Sequence, residues 1–278
     1  MLKTRIISAL LLTFMLLAPQ IASANLLIYP VRISFDENER TEQITLTNTS
    51  DKTNTYRLQW NENRALPEGG YQLLTEQEAK AQSLPIASDM IRFAPRQVTL
   101  KPGERQVIKL SLRRPRDLTD GEYRSHLLLK AIPPEKNAVE EGVAINMVMS
   151  FAVPISVQQG VYDTKVSLEK AAIELSQSTG AANVKLGIKR EGLHSPSGDI
   201  EAYWTPDGGQ EVLLGKIADF SVWTEIDYLE AKLVWTQEKV TPSNGTLRVV
   251  YEGVRDFDGI EYINETVRLK SSDFIATE

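Results

Sequence analysis

Cysteine is absent from the 278 residues of this sequence, and histidine occurs only twice, as His126 and His194. Without cysteine no disulfide can form, so the stability of the fold must come from packed apolar cores. Neither histidine has a second histidine or a cysteine at the spacing of a metal site. We therefore expect a structural or surface role for both histidines and no bound metal.

Sequence patterns of other catalytic and nucleotide-binding sites are also missing. Five residues separate Gly209 from Gly215, where a phosphate-binding loop needs about four. The turn at Asp256 lacks the third oxygen ligand and the closing glutamate of a calcium loop, and no serine lies in a Gly-x-Ser-x-Gly motif. These absences predict a protein that is not an enzyme and uses no cofactor. A hydrolase with two converging carboxylates is the enzymatic alternative.

Long apolar runs are scarce, and the clearest one lies at the N-terminus. Lys3 and Arg5 precede a mostly apolar run of twelve residues, and the small residues Ala22 to Ala24 follow as a cleavage site. This order is typical of a secretory signal peptide, so we predict that residues 1–24 are removed and that the mature chain begins at Asn25. No later segment approaches the roughly 20 apolar residues of a membrane helix, so we expect an exported soluble protein without membrane insertion.

Basic residues are the minority among the charged residues of the mature chain. The full sequence has 31 basic and 37 acidic residues, and loss of residues 1–24 removes two of the basic ones. The remaining 254 residues carry a net charge of about −8 with both histidines neutral. Because proteins attract nucleic acids through basic surfaces, this balance argues against nucleic-acid binding as the main role.

Short strand-like segments with alternating apolar side chains fill the mature chain. One runs from Gln43 to Asn48 with Ile44 and Leu46 on one face, and another runs from Tyr56 to Trp60. Turn signals separate such segments at short intervals, and only Glu76 to Ala81 is able to form a helical turn. This pattern predicts an all-β chain of two immunoglobulin-like β-sandwich domains with a cleft between them.

A change in composition predicts the domain boundary. Polar residues follow a strongly apolar strand at position 158, so we place an N-terminal domain at 25–157, a linker at 158–163 and a C-terminal domain at 164–278. Each domain is long enough to bury a core of its own. A proline interrupts the segment from Leu26 to Phe35, which predicts a position at a sheet edge. Residues 61–88 form the least regular stretch.

Two strand-like runs between Glu122 and Ile155 differ from the others. They are joined by a loop that opens with two prolines. The second run has an apolar face at period two with few charges, made by Val143, Ile145, Met147, Met149 and Phe151. An apolar edge of this length is usually either buried or bound by a partner.

Eight short segments of the mature chain together carry a family resemblance. Four follow one another in the first half: Pro30–Asp36, Ile44–Asn48, Leu100–Glu104 and Leu128–Pro134. In this order they resemble the periplasmic pilus chaperones, the PapD-like family. The other four resemble its archaic, sigma-type branch: Gly121–Leu127, Val153–Ile155, Gly198–Ile200 and Gly245–Val249. The resemblance covers most of the mature chain. The chain has Val153 where many members have a domain-bridging arginine, and it lacks the usual cysteine pair of the second domain.

The resemblance implies donor-strand complementation, in which a chaperone strand completes the sandwich of a pilus subunit that lacks its last strand. The implied function is a periplasmic chaperone that binds fimbrial subunits through the apolar face and delivers them to an outer-membrane usher. An apolar edge of this length also favours some capping, such as self-association of the free protein. The alternative is a structural pilus or cell-surface protein with two immunoglobulin-like domains. Asn25 leads directly into a strand, which disfavours a subunit with an N-terminal donor extension.

Members of the family also bind the C-terminal carboxylate of the subunit with basic residues in the cleft. Arg32 matches the first-strand arginine of this anchor through its Arg-x-x-Phe-Asp setting. The lysine expected on the long strand falls near Met149, where no basic residue occurs. Arg124 on the adjacent strand is the predicted substitute, with Arg92 and Arg96 behind it. Arginine suits the task because its planar guanidinium matches a carboxylate.

Overall fold

A computed structural model describes residues 25–133, 149–233 and 240–277, and the predicted signal peptide lies outside these ranges. The described chain forms four sheets, two in each half of the sequence. Each pair of sheets encloses an apolar cluster of its own. The predicted all-β chain of two β-sandwich domains is therefore confirmed.

The first domain contains ten strands and one short helix in its described part. They are β1 (Leu26–Tyr29), β2 (Ile33–Phe35), β3 (Thr41–Asn48), β4 (Asn54–Ala65), β5 (Tyr71–Leu74), α1 (Glu76–Ala81), β6 (Ile91–Ala94), β7 (Gln97–Leu100), β8 (Arg105–Leu112), β9 (Gly121–Ile132) and β10 (Ser150–Gln159). One sheet has the order β1-β3-β8-β6, and the other has the order β2-β10-β9-β4-β5, with β7 also paired to β4.

Alternation of side chains along the strands builds the first core. Ile44 and Leu46 of β3 are fully buried, as predicted, and Leu127 and Leu129 of β9 face them from the other sheet. Val153, Ile155 and Val157 of β10 belong to the same cluster. Full burial of one such side chain contributes about 1.5–3 kcal/mol, so the period-two pattern accounts for much of the stability of this domain.

The first segment of the mature chain divides between the two sheets. β1 pairs antiparallel with β3, whereas β2 pairs parallel with β10 in the opposite sheet. The change of sheet falls between the two strands at Pro30, which has no backbone N–H to donate to a ladder. Both strands lie at sheet edges, as the proline predicted.

The stretch of residues 61–88 is more regular than the sequence predicts. β4 continues to Ala65 and forms a hairpin with β5. The predicted helical turn is α1, which begins with a capping box in which the backbone N–H of Glu78 donates to Thr75 Oγ1 at 3.2 Å. The expected end of β4 at Trp60 is thus wrong, because Glu62 takes the next inward position and is buried there.

The second domain contains eight strands in its described part. They are β11 (Lys165–Ser176), β12 (Ala182–Glu191), β13 (Ser197–Pro206), β14 (Val212–Ser221), β15 (Tyr228–Leu233), β16 (Gly245–Gly253), β17 (Glu261–Leu269) and β18 (Ile275–Thr277). Their sheets have the orders β15-β12-β11-β18 and β14-β13-β16-β17. The pattern predicts two strands at 166–168 and 172–175, but these form the single strand β11, with an irregularity between Leu168 and Lys170.

Candidate functional site

The strand β10 has an open edge. It pairs with β9 along its whole length, from Ser150 opposite Lys130 to Gln159 opposite Gly121. On its other side β2 pairs only with residues 155–157. Within the described ranges, residues 150–154 therefore have no neighbour on that side, and their backbone groups are available for pairing with another chain.

The predicted subunit-binding residues fall partly on this strand. Val143, Ile145 and Met147 lie outside the described residues. The Met149 side chain, directly before β10, is 48% exposed. Phe151 is half-buried and packs against the first core. The apolar face thus passes from an exposed residue into the core of the domain itself.

Arg32 lies where the open edge ends. Ile33 of β2 stands opposite Ile155, so Arg32, one residue earlier, lies beside Pro154. Its Nη1 donates a hydrogen bond to Ser197 Oγ of the second domain, and its guanidinium carbon lies 4.9 Å from the centre of the Trp223 ring. Burial lowers the pKa of Arg32 below its usual value, but a guanidinium stays charged in proteins. Arg32 is therefore a cation held between the two domains.

Arg124 contacts the same tryptophan. It lies on β9 with its guanidinium carbon 3.9 Å from the centre of the Trp223 ring. Its Nη2 forms an ion pair with Glu225 of the second domain and donates to the backbone oxygen of Asn63 at 3.2 Å. Arg124 Nε and Nη1 are buried and have no hydrogen-bond partner in the described part of the chain. The structure thus brings Arg32 and Arg124 together, but a resident carboxylate already pairs with Arg124.

The other two predicted anchor residues lie elsewhere. Arg92 is exposed on β6, in the sheet that does not contain β10, and lines a groove of about 720 Å³ on that sheet. Arg96 follows β6 and places its guanidinium carbon 4.7 Å from the centre of the Phe93 ring. Neither residue lines the cleft between the domains. The reason is that β6 pairs with β8 in the sheet that does not contain β10.

The cleft between the domains has a volume of about 270 Å³. The β4–β5 hairpin forms one wall with Leu66 and Tyr71, and the end of β14 forms the other with Phe220 and Ser221. Trp223 lies between the walls, and its Nε1 donates to the Tyr71 hydroxyl at 2.9 Å. Sequence reasoning missed these residues, because 152 positions separate Tyr71 from Trp223 and no local pattern links them.

Buried polar contacts fix the two domains around the cleft. The Glu122 carboxylate accepts hydrogen bonds from the Ser195 backbone N–H at 3.0 Å, from the Ser195 hydroxyl at 3.1 Å and from Gln158 Nε2 at 3.2 Å. The backbone N–H of Glu122 donates to the Leu193 oxygen at 3.1 Å. β9 of the first domain is therefore bound directly to the 193–195 loop of the second.

The two histidines lie on the segments that form this junction, His126 on β9 and His194 in the 193–195 loop. His194 Nδ1 lies 2.8 Å from Asp163 Oδ1, and its Nε2 lies 3.1 Å from the Gln159 backbone oxygen. His126 is buried on β9 with the Tyr71 ring edge-on at 5.7 Å. Burial, followed by the positive charges of Arg124 and Arg32, lowers the pKa of His126 to about 3. His126 is therefore neutral at physiological pH.

Two further features concern the described ranges alone. They contain no cluster of three or more histidine, cysteine, aspartate or glutamate side chains with the arrangement of a metal site. No helix in the same ranges combines the length and the apolar composition needed to cross a membrane.

Comparisons with known proteins give matches in one family model and in solved structures. Residues 33–143 match the model of the Fn3-like domain. A search of curated proteins found no match. The CupB2 chaperone of Pseudomonas aeruginosa aligns with 14% identity over 87% of this chain and 98% of its own, with a TM-score of 0.46.

Two more solved structures align over similar lengths. A chain from the complex of the SafA pilin with the SafB chaperone of Salmonella enterica has 14% identity over 91% of this chain and 99% of its own, with a TM-score of 0.46. The chaperone DraB of E. coli has 13% identity over 88% of this chain and 98% of its own, with a TM-score of 0.43. Assignment to the archaic branch stays a prediction. The Fn3-like match is confined to residues 33–143, and the alignments with these solved chaperones extend over most of the chain at low sequence identity.

Proposed function

We propose that this protein is a periplasmic chaperone that binds pilus subunits by donating a strand and delivers them to an outer-membrane usher. The observation that carries the proposal is the open edge of β10, which leads into the cleft at Arg32. An incomplete subunit sandwich has an unpaired edge of its own, and pairing the two edges would satisfy both sets of backbone groups.

Charge favours one direction for the added strand. β2 occupies the edge of β10 from Ile155 onward, so a strand added along residues 150–154 must end at or before Arg32. A strand parallel to β10 would bring its C-terminal carboxylate to this guanidinium, whereas an antiparallel strand would bring a positively charged N-terminus or an internal segment. A charge-assisted hydrogen bond to arginine is among the strong ones in proteins. The proposal therefore assigns the anchor to Arg32.

Arg124 is a secondary candidate for the proposed anchor. It shares Trp223 with Arg32, but its charge is paired with Glu225. A subunit carboxylate would reach Arg124 only if Glu225 moved, so we assign Arg124 first to bridging the domains. This bridge takes the place of the arginine that many family members have at the position of Val153. Arg92 and Arg96 have no role in the proposed anchor, because they do not line the cleft.

The proposed donor residues precede β10 in the sequence. Val143, Ile145, Met147 and Met149 share one face at period two and would enter the subunit at alternate positions. Methionine adapts to pockets of different shape, which suits binding of more than one subunit type. Phe151 already packs against the first core and would mark the inner end of the donated segment. When no subunit is bound, self-association would cover the same edge.

Co-expression with a fimbrial subunit tests the proposal. The subunit should be a product of the same genetic locus, and each protein should also be expressed alone. We expect a soluble one-to-one complex by size-exclusion chromatography, and we expect the subunit alone to aggregate. A subunit that is equally soluble alone, or one that never forms a complex, would contradict the chaperone function.

A further inference from the structure

Two cations face each other on the outer surface of the sheet that contains β10. Arg57 of β4 is directly paired with Lys130 of β9, and both side chains are exposed. Within the described ranges, neither side chain forms a hydrogen bond or an ion pair. Side chains paired in this way have Cβ atoms about 4.5–5.5 Å apart, and like charges so placed destabilise a sheet. The Arg57–Lys130 pair therefore favours binding of an anionic group.

The strands around the pair supply no such group. The surrounding segments contain neither aspartate nor glutamate, and they are residues 54–61, 97–100, 126–132 and 150–154. The second domain shows the usual arrangement, because Lys216 of β14 is directly paired with Glu201 of β13 and its Nζ lies 2.8 Å from the carboxylate. A counter-charge for the Arg57–Lys130 pair must therefore come from outside these four segments.

The pair lies beside the open edge of β10. On its other side Lys130 is directly opposite Ser150, the first residue of β10. A strand added at the open edge would continue the sheet, and alternate side chains of that strand would stand on the same face as Lys130. Neighbouring strands are about 4.8 Å apart, so Lys130 lies about 10 Å from the added strand. A lysine and a glutamate side chain together span this distance.

We infer that the Arg57–Lys130 pair binds an acidic side chain of the pilus subunit whose strand is added to β10, and so favours subunits with a negative charge on this face. This inference rests on the proposed function, because it takes the subunit as the partner. Exposed charges at an interface act mainly on the rate of association and on its salt dependence. The effect is therefore expected in the association rate at low salt.

Association kinetics test the inference. The subunit is diluted from denaturant into the parent protein or into a double variant, and the rate of complex formation is measured. At about 50 mM NaCl we expect Arg57→Gln with Lys130→Gln to associate at least about fivefold more slowly than the parent. At about 500 mM NaCl the two rates should agree within about twofold, because salt screens exposed charges.

A matched control removes the same two charges from the other sheet. Arg105 and Lys109 are exposed on β8, which does not pair with the sheet of β10. Arg105→Gln with Lys109→Gln has the same net charge as the first double variant and should associate at the parent rate. Equal slowing in both double variants, or no slowing in either, would overturn the inference.

The stability of the free protein identifies the source of the negative charge. Glu135, Glu140 and Glu141 follow β9 in the sequence, outside the described residues. If the partner supplies the charge, Lys130→Gln removes a repulsion and should leave the midpoint of thermal unfolding of the free protein unchanged or raise it. A lower midpoint that is no longer seen when these three glutamates are changed to glutamine would assign the pair to the chain itself and overturn the inference.

The outcome is distinguishable from failure of the proposed function. If the parent protein forms the subunit complex and the Arg57→Gln, Lys130→Gln variant forms it equally fast, the acidic contact is wrong and the chaperone function stands. If the parent protein forms no complex with the subunit, the chaperone function is wrong and this inference falls with it.

Discussion

Glu225 of the second domain forms an ion pair with Arg124 of the first, and the two side chains are only 11% and 8% exposed. The same carboxylate accepts the backbone N–H of Ala65 at 2.8 Å. Glu225 therefore joins one segment of the second domain to two strands of the first. The Arg124 guanidinium also packs on Trp223, so this contact adds a second link between the two domains.

Glu225→Ala should destabilise the protein strongly. It leaves the Arg124 charge buried without a partner, and breaking a buried pair in this way costs about 3–5 kcal/mol. Thermal unfolding measures the loss. Glu230→Ala is the control, because Glu230 pairs with Lys185 at 2.7 Å on the surface, where a pair contributes about 0–1 kcal/mol. Similar losses in both variants would show that the Arg124–Glu225 pair does not hold the domains together.

Aspartates at the proposed donor positions should abolish binding of the subunit. We expect the double variant Ile145→Asp and Met147→Asp to lose the subunit complex in size-exclusion chromatography, because charged side chains cannot enter apolar subunit pockets. The free variant should keep the circular dichroism spectrum of the parent protein. Val161→Asp is the control, since Val161 is an 85% exposed apolar residue between β10 and β11. A retained complex would contradict the assignment of the donor strand.

Loss of Arg32 should weaken the complex more than loss of another basic residue of the first domain. We expect Arg32→Ala to lower the yield of co-purified subunit at least tenfold, and Arg32→Lys to restore part of it, because lysine keeps the charge but not the planar donor set. Lys101→Ala is the control, since Lys101 is exposed at the turn before β8. Equal yields for Arg32→Ala and Lys101→Ala would count against the anchor.

Acid should destabilise the protein partly through His126. The pKa of this imidazole falls from 6.5 to about 3 on folding, so below pH 6.5 the unfolded chain binds a proton that the folded chain does not. Stability therefore falls as the pH decreases through this range. Between pH 7 and pH 5 the loss from this residue is about 1–2 kcal/mol.

Urea unfolding of the parent protein and of His126→Leu at both pH values measures this contribution. His126 is packed beside the Tyr71 ring and near the charges of Arg32 and Arg124, and the neighbouring Glu225 is paired with Arg124. The variant should lose less stability than the parent between pH 7 and pH 5, whatever its stability at pH 7. Equal losses would mean that His126 takes up its proton without unfolding.

The sequence predicts the fold well where neighbouring residues determine it. Period-two patterns identify Ile44 and Leu46 as core residues, and Pro30 identifies an edge. The pattern fails at Glu62, where an acidic residue takes an inward position. There the Ser125 hydroxyl donates to Glu62 Oε2 at 2.8 Å, and burial raises the pKa of the Glu62 carboxyl. Hydrogen bonds from residues distant in sequence, Ser125 and Ser88, make burial of this acid tolerable, and periodicity does not reveal them.

The site is less predictable than the fold for the same reason. The family resemblance predicts Arg32 as a site residue, but its contacts Ser197 and Trp223 lie in the other domain, where no local pattern indicates them. The family resemblance leads us to expect a domain-bridging arginine at the position of Val153. It gives no indication of the ion pair between Arg124 and Glu225, which lie 101 positions apart.

The parallel pairing of β2 with residues 155–157 of β10 would limit how far the proposed added strand extends along the edge of β10. A strand added along residues 150–154 could not extend past Ile155, where the pairing with β2 begins. The last residue of the added strand would therefore set its register on β10. Subunits whose final strands differ in length would then enter in the same alignment, and the difference would appear at the far end of the donated segment. Such a limit would set the register of the added strand without a basic residue on the long strand, and none occurs near Met149.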